Sequence, residues 1–285
     1  MYVITGATGQ TGKVVAQQLL AAGKPVRVIV RDAAKASELA AQGAEVVVAE
    51  LKDQGALERA FRGAEGVYFI SPPELRAQAF IAERKELTGQ IVDTLKRASV
   101  KHVVLLSSIA SEQPSGTGPI VTTHNAEKQL RASGLNATFV RAAYFVENWA
   151  SVLPVAKQDG VLPAFFPVDT QIAMVSTYDI GVVAAQALLD GPRGVRIIEL
   201  AGPKELSAND VAASVSELLG RPVKAIQAPL EGVVPTFTGF GMSEDIARLF
   251  HELYSRISEN KFEWEGHEQK RGTTPVIETL RALLQ

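Results

Sequence analysis

Cysteine is absent from the 285-residue sequence, and its absence excludes whole classes of chemistry. Without cysteine the chain can form no disulfide bond, offers no thiol nucleophile and supplies no thiolate metal ligand. A chain of this composition fits the reducing interior of a cell. We therefore expect a cytoplasmic protein.

Long apolar runs and a strong net charge are also missing. No stretch approaches the ~20 apolar residues that a membrane-spanning helix needs. The N-terminus enters a predicted strand at once, without the basic and apolar regions of a secretion signal. The formal net charge is −2 and the pI is about 6.1, so the composition indicates no basic surface for nucleic acid. We expect neither a membrane nor nucleic acid as a partner.

What the sequence does contain is a glycine-rich turn near its N-terminus. Gly6, Gly9 and Gly12 stand between a β-favouring run at residues 2–4 and a helical pattern at residues 13–22. Glycine permits a tight turn and lets a ligand approach the backbone without meeting a Cβ atom. The amides that open the helix, together with its dipole, favour a phosphate. Glycine spacing alone also fits a turn that binds nothing, but the flanking strand and helix favour a dinucleotide site.

Strand-like and helix-like segments alternate along the first half of the chain. Further strands are predicted at residues 25–30, 45–49, 66–70, 101–106 and 137–141. This alternation indicates right-handed βαβ units. The nearly continuous apolar strands indicate a parallel sheet that helices cover on both faces. The sequence therefore predicts an α/β protein with an NAD(P)-binding Rossmann fold, that is, a doubly wound parallel sheet.

The pattern becomes less regular after residue 150. Residues 153–169 carry three prolines and are predicted as loops with short strands, and a strand–helix rhythm returns at residues 173–203. We predict a Rossmann domain at residues 1–150, to which residues 173–203 return, and a smaller α+β substrate-binding part within residues 151–285.

Three helix boundaries can be predicted from local signals. A single helix is predicted at residues 33–42. Ser207 and Asp210 have the spacing of a capping box that opens a helix. Thr274 and Pro275 are predicted as the N-cap and first-turn proline of the last helix.

The end of the second predicted strand bears on which dinucleotide binds. An acidic residue about 20 positions beyond the glycines suits the ribose diol of NAD, whereas an arginine suits the 2′-phosphate of NADP. Here Arg31 ends the strand, Asp32 follows it, and Lys35 lies one helical turn further on. Two cations suit a phosphate better than a neutral diol, so NADP(H) is favoured over NAD(H). In the alternative, both cations are solvated and Asp32 is only a helix N-cap.

Several segments together resemble the NmrA-like family, an atypical branch of the short-chain dehydrogenases/reductases. They are the turn at residues 6–12, the strand end at residues 30–32, Ser107-Ser108, residues 141–149, residues 179–181, residues 200–203 and residues 271–275. The resemblance covers nearly the whole chain. Within the family, the bacterial quinone reductases and triphenylmethane-dye reductases are the most similar in length and layout.

The resemblance implies cofactor contacts that spacing alone does not assign. The pyrophosphate would be held by residues of the glycine-rich turn, namely Gly6, Thr8, Gly9, Gln10, Thr11 and Gly12. The 2′-phosphate would meet Arg31 and Lys35. The adenine would lie beside Glu50 and Leu51, where relatives have Asp-Leu. The nicotinamide would lie near Ser71 and Pro72, and its pocket, shared with the substrate, would be lined by Ala143, Tyr144 and Phe145.

The same resemblance directs attention to residues 124–128. Ordinary members of the superfamily use a serine and a Tyr-x-x-x-Lys motif, in which the tyrosine gives a proton to the carbonyl. Here His124 replaces the tyrosine, Lys128 is retained, and Ser108 stands at about the family's serine position. Histidine can donate a proton near neutral pH, and a spacing of four puts His124 and Lys128 on one helix face. His124 and Lys128 are therefore the candidate catalytic residues, and Lys128 is also a candidate cofactor contact. The alternatives are a surface histidine without a catalytic part and a solvated lysine.

A substrate pocket is predicted whose aromatic members all follow residue 143. Its proposed members are Ser108, His124, Tyr144, Asn148, Trp149 and Phe165, with Phe145 and Phe166 beside them. Such rings can form a flat apolar pocket, although each of them alone also fits an ordinary core position. His102 and Glu127 have no metal-ligand spacing, so no metal is predicted.

These observations predict an NADPH-dependent reductase that transfers hydride, without flavin, to a quinone-like or conjugated aromatic substrate. Such acceptors delocalise the charge that they gain and need less help from a positioned acid. NmrA-like regulators also lack the tyrosine, so the main alternative is a non-catalytic NADP(H) redox sensor that acts through a protein partner. An epimerase or sugar-modifying enzyme is a third hypothesis, but these usually keep the tyrosine. A monomer or homodimer is expected.

Overall fold

An eight-stranded parallel sheet forms the centre of the protein. The computed structural model describes residues 1–259 and 262–285. In chain order the strands of this sheet are β1 (Tyr2–Thr5), β2 (Val26–Val30), β3 (Glu45–Val48), β4 (Gly66–Phe69), β5 (Val103–Ser108), β6 (Ala137–Ala142), β10 (Val195–Ala201) and β13 (Glu268–Arg271). Their spatial order is β3-β2-β1-β4-β5-β6-β10-β13, and every pairing is parallel. The first six strands follow the doubly wound Rossmann order, which confirms the predicted fold class.

Helices cover both faces of this sheet. In chain order, the α-helices of the described residues are α1 (Gln10–Ala21), α2 (Ser37–Ala41), α3 (Gln54–Phe61), α4 (Phe80–Arg97), α5 (Val121–Ser133), α6 (Leu153–Asp159), α7 (Thr177–Asp190), α8 (Ala208–Leu219), α9 (Val233–Gly239), α10 (Glu244–Ser258) and α11 (Val276–Leu284). Helices α1 and α7 pack into one buried apolar cluster, and α3, α4 and α5 pack into the cluster on the opposite face. Apolar side chains therefore cover the strands from both sides, as their continuous apolar sequences predict.

The remaining strands form two small sheets outside the large one. Strands β7 (Tyr144–Phe145), β9 (Ile172–Val175) and β11 (Glu205–Leu206) make one sheet, and β8 (Val161–Ala164) pairs with β12 (Lys224–Gln227) in the other. A third apolar cluster joins these strands to α8 and α11. Strand β13 belongs to the large sheet, although the predicted division places residues 268–271 in the C-terminal part.

Two stretches differ from the local predictions because of their capping chemistry. Residues 33–42 form a 3₁₀ turn (Ala33–Ala36) and then the short α2, since the Asp32 side chain accepts a hydrogen bond from the amide of Ala34 at 3.0 Å. Residues 153–159, predicted as loop, form α6. Its proline, Pro154, lies in the first turn, where no helical hydrogen bond is lost. The predicted capping box of Ser207 and Asp210 is confirmed.

The prediction of Thr274 as an N-cap is wrong, because its side chain has a different partner. Pro275 is the residue that precedes α11. The amide and the hydroxyl of Thr274 each donate to the carboxylate of Asp179 at 3.0 Å. A Cβ atom at Gly272 would clash with that same carboxylate. Two motifs that are 95 residues apart thus meet at the start of α7.

We expect Gly181 and Gly89, which both lie within helices, to respond oppositely to substitution by alanine. A Cβ atom at Gly181 would lie 2.5 Å from the Cβ of Val14, where α7 crosses α1, so Gly181→Ala should destabilise the fold by about 1–3 kcal/mol. At Gly89 the nearest atom would be the side-chain oxygen of Gln129 at 3.7 Å, so Gly89→Ala should stabilise by about 0.5–1 kcal/mol. Urea unfolding measures both. Equal effects would contradict the close α1–α7 packing.

Candidate functional site

The glycine-rich turn lies where the strand order of the sheet reverses. Strand β1 has β2 on one side and β4 on the other, and ligands of open α/β sheets bind at such a switch point, beyond the carboxyl ends of the strands. Gly6 has a φ of +64°, and its carbonyl accepts a hydrogen bond from the Gly9 amide at 2.9 Å. A Cβ atom at Gly12 would clash with that carbonyl. The turn can therefore keep this path only with glycine at both ends.

The N-terminus of α1 presents its first amides beyond β1. The first turn of this helix contains no acidic side chain, and Gly6, Thr8, Gly9 and Gln10 are exposed. The early amides of a helix have no partner within the helix, so this end suits a phosphate. The Thr11 side chain is buried, and its hydroxyl accepts a hydrogen bond from Tyr68 at 2.9 Å. Thr11 can thus offer its amide, but its side chain has a structural role.

The other predicted cofactor residues follow the neighbouring strands at the same edge of the sheet. Arg31 and Lys35 are exposed after β2, and neither has an acidic partner among the residues that the structure describes. Asp32 caps the 3₁₀ turn, as the alternative interpretation of that residue expected. Glu50 and Leu51 follow β3, and Ser71 and Pro72 follow β4. These predicted residues thus lie along the edge formed by β3, β2, β1 and β4, with the glycine-rich turn among them.

A large apolar cavity opens beyond β5 and β6. Its volume is about 710 Å³, which is within the usual range for small-molecule sites. Five of the predicted residues line it, namely Ser108, Ala143, Tyr144, Phe145 and Asn148. Six further aromatic residues also line it, namely Phe237, Phe240, Phe250, Tyr254, Phe262 and Trp264. The sequence analysis missed these six, although the spacing of Phe250, Tyr254 and Ile257 along α10 is a helical signal that could have revealed one face.

Trp149 and Phe165 lie behind the lining residues. Trp149 is buried, and its ring contacts Tyr144 and Phe166 edge-on, with centroids 6.3 and 6.1 Å apart. Phe165 packs against Tyr254 at 5.5 Å and Phe237 at 6.2 Å. These two side chains therefore support the wall of the cavity, in contrast to the prediction that they line it.

Two tyrosines provide polar groups inside this aromatic cavity. Burial raises the pKa of Tyr144 well above its ordinary value, and its interactions with the Tyr254 hydroxyl add to that rise, while a hydrogen bond with Asn148 acts in the opposite direction. Burial also raises the pKa of Tyr254. Both hydroxyls stay protonated at neutral pH and can donate hydrogen bonds, but they are weak acids.

The aromatic cavity is lined neither by His124, which is predicted in the substrate pocket, nor by Lys128, which is predicted as a cofactor contact. Both residues line a separate cleft of about 690 Å³, together with Glu112, Arg131 and Arg141. Helix α5 begins at Val121 and turns Ala126 and Leu130 towards the sheet, so positions 124 and 128 fall on another face. His124 Nδ1 lies 2.9 Å from the Ser111 carbonyl, and Lys128 is exposed.

Arg141 is a further residue whose position the sequence analysis did not interpret. It is buried at the end of β6, and Glu127 of α5 accepts hydrogen bonds from its Nε and Nη2 at 2.9 and 2.8 Å. Glu127 also accepts from the Ser107 hydroxyl at 2.6 Å. Ser107 and Arg141 are neighbours in register on β5 and β6. This network fixes the strand ends next to Ser108 and Ala143 in the cavity.

Neither a metal cluster nor a membrane span is found in the described part of the chain. No three His, Asp or Glu side chains there come close enough to hold a metal ion. His102 is fully buried, and its Nε2 lies 2.9 Å from the Thr138 hydroxyl. Among the helices that the structure describes, none combines the length and the apolar character needed to cross a bilayer.

Comparisons with known proteins find similarity along nearly the whole chain. The model of the NmrA-like family matches residues 2–272. The NAD(P)H azoreductase of Xenophilus azovorans is 30% identical over 258 residues, which are 90% of this chain and 86% of that protein. Quinone oxidoreductase 2 of Escherichia coli is 31% identical over 78% of this chain and 76% of its own length. The crystal structure of an Escherichia coli NADPH-dependent quinone oxidoreductase with NADPH has a TM-score of 0.78 and 27% identity, with both chains fully covered.

We expect Arg31 to distinguish NADPH from NADH. Losing a charged partner of the 2′-phosphate should raise the Kd for NADPH about tenfold or more in Arg31→Ala and leave the Kd for NADH unchanged. Titration calorimetry measures both constants. The matched control is Arg62→Ala, which removes another exposed arginine, at the end of α3. A parallel loss of NADPH and NADH affinity would contradict the assignment.

We also expect His102 to make the stability of the fold depend on pH. Burial lowers its pKa from 6.5 to about 4, so the folded state keeps the ring neutral where the unfolded chain would protonate it. The free energy of unfolding should therefore fall as the pH drops from about 6.5 to 4, by about 3 kcal/mol in all. Urea unfolding between pH 7 and 4 tests this. His102→Asn should show a flatter profile, and an unchanged slope would contradict the role.

Proposed function

Because the chain belongs to the NmrA-like family and is an NAD(P)H-dependent reductase, we propose that it reduces a quinone-like or other conjugated aromatic compound. Its cofactor is NADP(H). The names of the azoreductase and the quinone oxidoreductase both describe flat conjugated acceptors, and this chain is about equally similar to the two. We therefore propose the chemical class of the acceptor, a flat conjugated compound, and name no single substrate.

The observation that carries the proposal is the aromatic cavity next to Ala143. Its walls combine apolar and aromatic side chains from β7, α9 and α10 with few polar groups. Phe237 and Phe250 stack with centroids 4.7 Å apart and an angle of 6° between the ring planes. Stacked and edge-on rings favour a flat aromatic ligand over a hydrated sugar.

We propose that the two halves of the site hold the two reactants side by side. The glycine turn and the α1 amides would hold the pyrophosphate, Arg31 and Lys35 the 2′-phosphate, and Ser71 and Pro72 the nicotinamide side. Ser108 and Ala143 end two adjacent strands at the same edge of the sheet, so an acceptor in the cavity would lie beside that nicotinamide. The bound cofactor supplies the hydride.

The polar groups of the cavity suit an acceptor that needs little acid catalysis. Reduction of a quinone adds a hydride and a proton, and the negative charge spreads over the ring before the proton arrives. Tyr144 and Tyr254, with their raised pKa values, can donate hydrogen bonds to a quinone oxygen that carries part of this charge. The proton itself comes from solvent. His124 has no part in this scheme, because it lines the other cleft.

We expect steady NADPH oxidation with quinones or azo dyes and slower oxidation with NADH. Phe250→Ala removes the stacked ring and should raise the KM for the acceptor about tenfold, with a smaller change in kcat. His124→Asn should stay within about twofold of the parent in both constants, because it lies outside the cavity. The rates of the parent protein and of both variants are measured as the loss of NADPH absorbance at 340 nm.

The same assay separates the reductase from a redox sensor. A sensor would bind NADPH tightly and oxidise it with none of the quinones or azo dyes. That result would overturn the proposed function. A large loss of kcat in His124→Asn would instead contradict the location of the chemistry in the aromatic cavity.

A further inference from the structure

We propose that Glu265, held by Arg141, is a positioning residue that fixes one wall of the aromatic cavity. The wall segment consists of residues 262–265. Its first three residues, Phe262, Glu263 and Trp264, line the cavity. The role of this wall in substrate binding rests on the proposed function, whereas its attachment to the sheet does not.

The wall segment has no regular secondary structure of its own. Residues 262–265 lie in neither a helix nor a strand, and β13 begins only at Glu268. The Trp264 ring is half-buried against the apolar cluster that also contains Phe145. Without a ladder of backbone hydrogen bonds, the position of these rings depends on side-chain contacts to the sheet.

Glu265 attaches the segment to the sheet at two points. Its amide donates to Glu199 Oε1 of β10 at 2.8 Å, and its carboxylate accepts a short hydrogen bond from Nη1 of Arg141 on β6. Arg141 and Glu199 are direct neighbours in register across the two strands, and both are buried. One residue of the segment is thus held by two adjacent strands of a rigid sheet.

The guanidinium of Arg141 is oriented independently of the wall segment. Glu127 binds its Nε and Nη2 at 2.9 and 2.8 Å, a two-point contact that fixes the plane of the group. Nη1 is then directed at Glu265. Partial burial acts to raise the pKa of Glu265, but the hydrogen bond and charge of Arg141 hold it below its usual value. The carboxylate is therefore charged at neutral pH, and the contact is a full ion pair.

Glu112 provides a matched control for this contact. Its Oε2 lies 3.4 Å from the same Nη1 atom of Arg141, and like Glu265 it lines the cleft of His124, but it follows β5 and is not part of the wall segment. It touches no part of the aromatic cavity. Glu112→Gln, like Glu265→Gln, removes one acidic neighbour of Arg141, yet it leaves the wall segment attached.

The first experiment compares Glu265→Gln with Glu112→Gln in NADPH oxidation. We expect Glu265→Gln to raise the KM for a quinone about tenfold with a smaller change in kcat, because a displaced wall misplaces the acceptor. The Kd for NADPH should stay within about twofold, since the wall lies outside the nucleotide half. Glu265→Asp, which keeps the charge, should recover part of the KM. Equal KM values for the two glutamine variants would overturn the proposal.

The second experiment does not depend on turnover. The chain has two tryptophans, so in a Trp149→Phe background the fluorescence comes from Trp264 alone. Quenching by acrylamide should increase in Glu265→Gln and stay unchanged in Glu112→Gln. Unchanged quenching in both variants would overturn the proposal even if no acceptor is found. Altered quenching without turnover by any variant would instead count against the proposed function and leave the attachment supported.

A double-variant comparison separates positioning from a general loss of stability. If Glu265 acts by holding Trp264, then Glu265→Gln should add little to the KM change already caused by Trp264→Ala. Full additivity of the two changes would contradict the proposal. Thermal unfolding of each variant shows whether the comparison is made on folded protein.

Discussion

The close approach of Gly12 to the carbonyl of Gly6 is the constraint on which the nucleotide half of the site depends. Any side chain at position 12 would clash with that oxygen. The chain can therefore leave β1, turn sharply and enter α1 within a few residues, so that the helix begins directly above the strand. The same geometry presents the first helix amides at the switch point of the sheet, where a dinucleotide phosphate binds in this fold.

The substrate half is assembled differently, from segments far apart in the chain. The ends of β5 and β6 supply its floor, α9 and α10 supply Phe237, Phe250 and Tyr254, and residues 262–264 supply one wall. Helix α10 is also tied to the loop after β4. The Ser243 amide donates to the Leu75 carbonyl at 2.8 Å, and Asp245 accepts from the Phe80 amide at 2.8 Å. The helix that carries Phe250 and Tyr254 is thus anchored beside the predicted nicotinamide loop.

Buried polar side chains hold the two halves in register. Ser107, Arg141 and Glu199 form one row across β5, β6 and β10, and Glu127 of α5 bonds to the first two. Breaking such a network leaves a buried charge without its partner, which is costly. The network therefore favours a single arrangement of the strand ends. The sequence around Glu127 indicated no function for it and no metal-ligand spacing. In the structure, its side chain binds Ser107 and Arg141 of this row.

The sequence by itself determined the Rossmann architecture, the glycine cradle and the strand-end cations, because these depend on local backbone geometry and on strand–helix alternation. It also located Ser108 and residues 143–145, which follow strands of the sheet. Only the tertiary structure decided that His124 and Lys128 face a different cleft, since the start and rotation of α5 depend on its packing against α4 and the sheet. Likewise, α10 is held beside the cavity by contacts with distant parts of the chain, such as the hydrogen bond that Asp245 accepts from the Phe80 amide, 165 positions away. No local sequence pattern predicts such contacts, because they form between surfaces that meet only in the folded state.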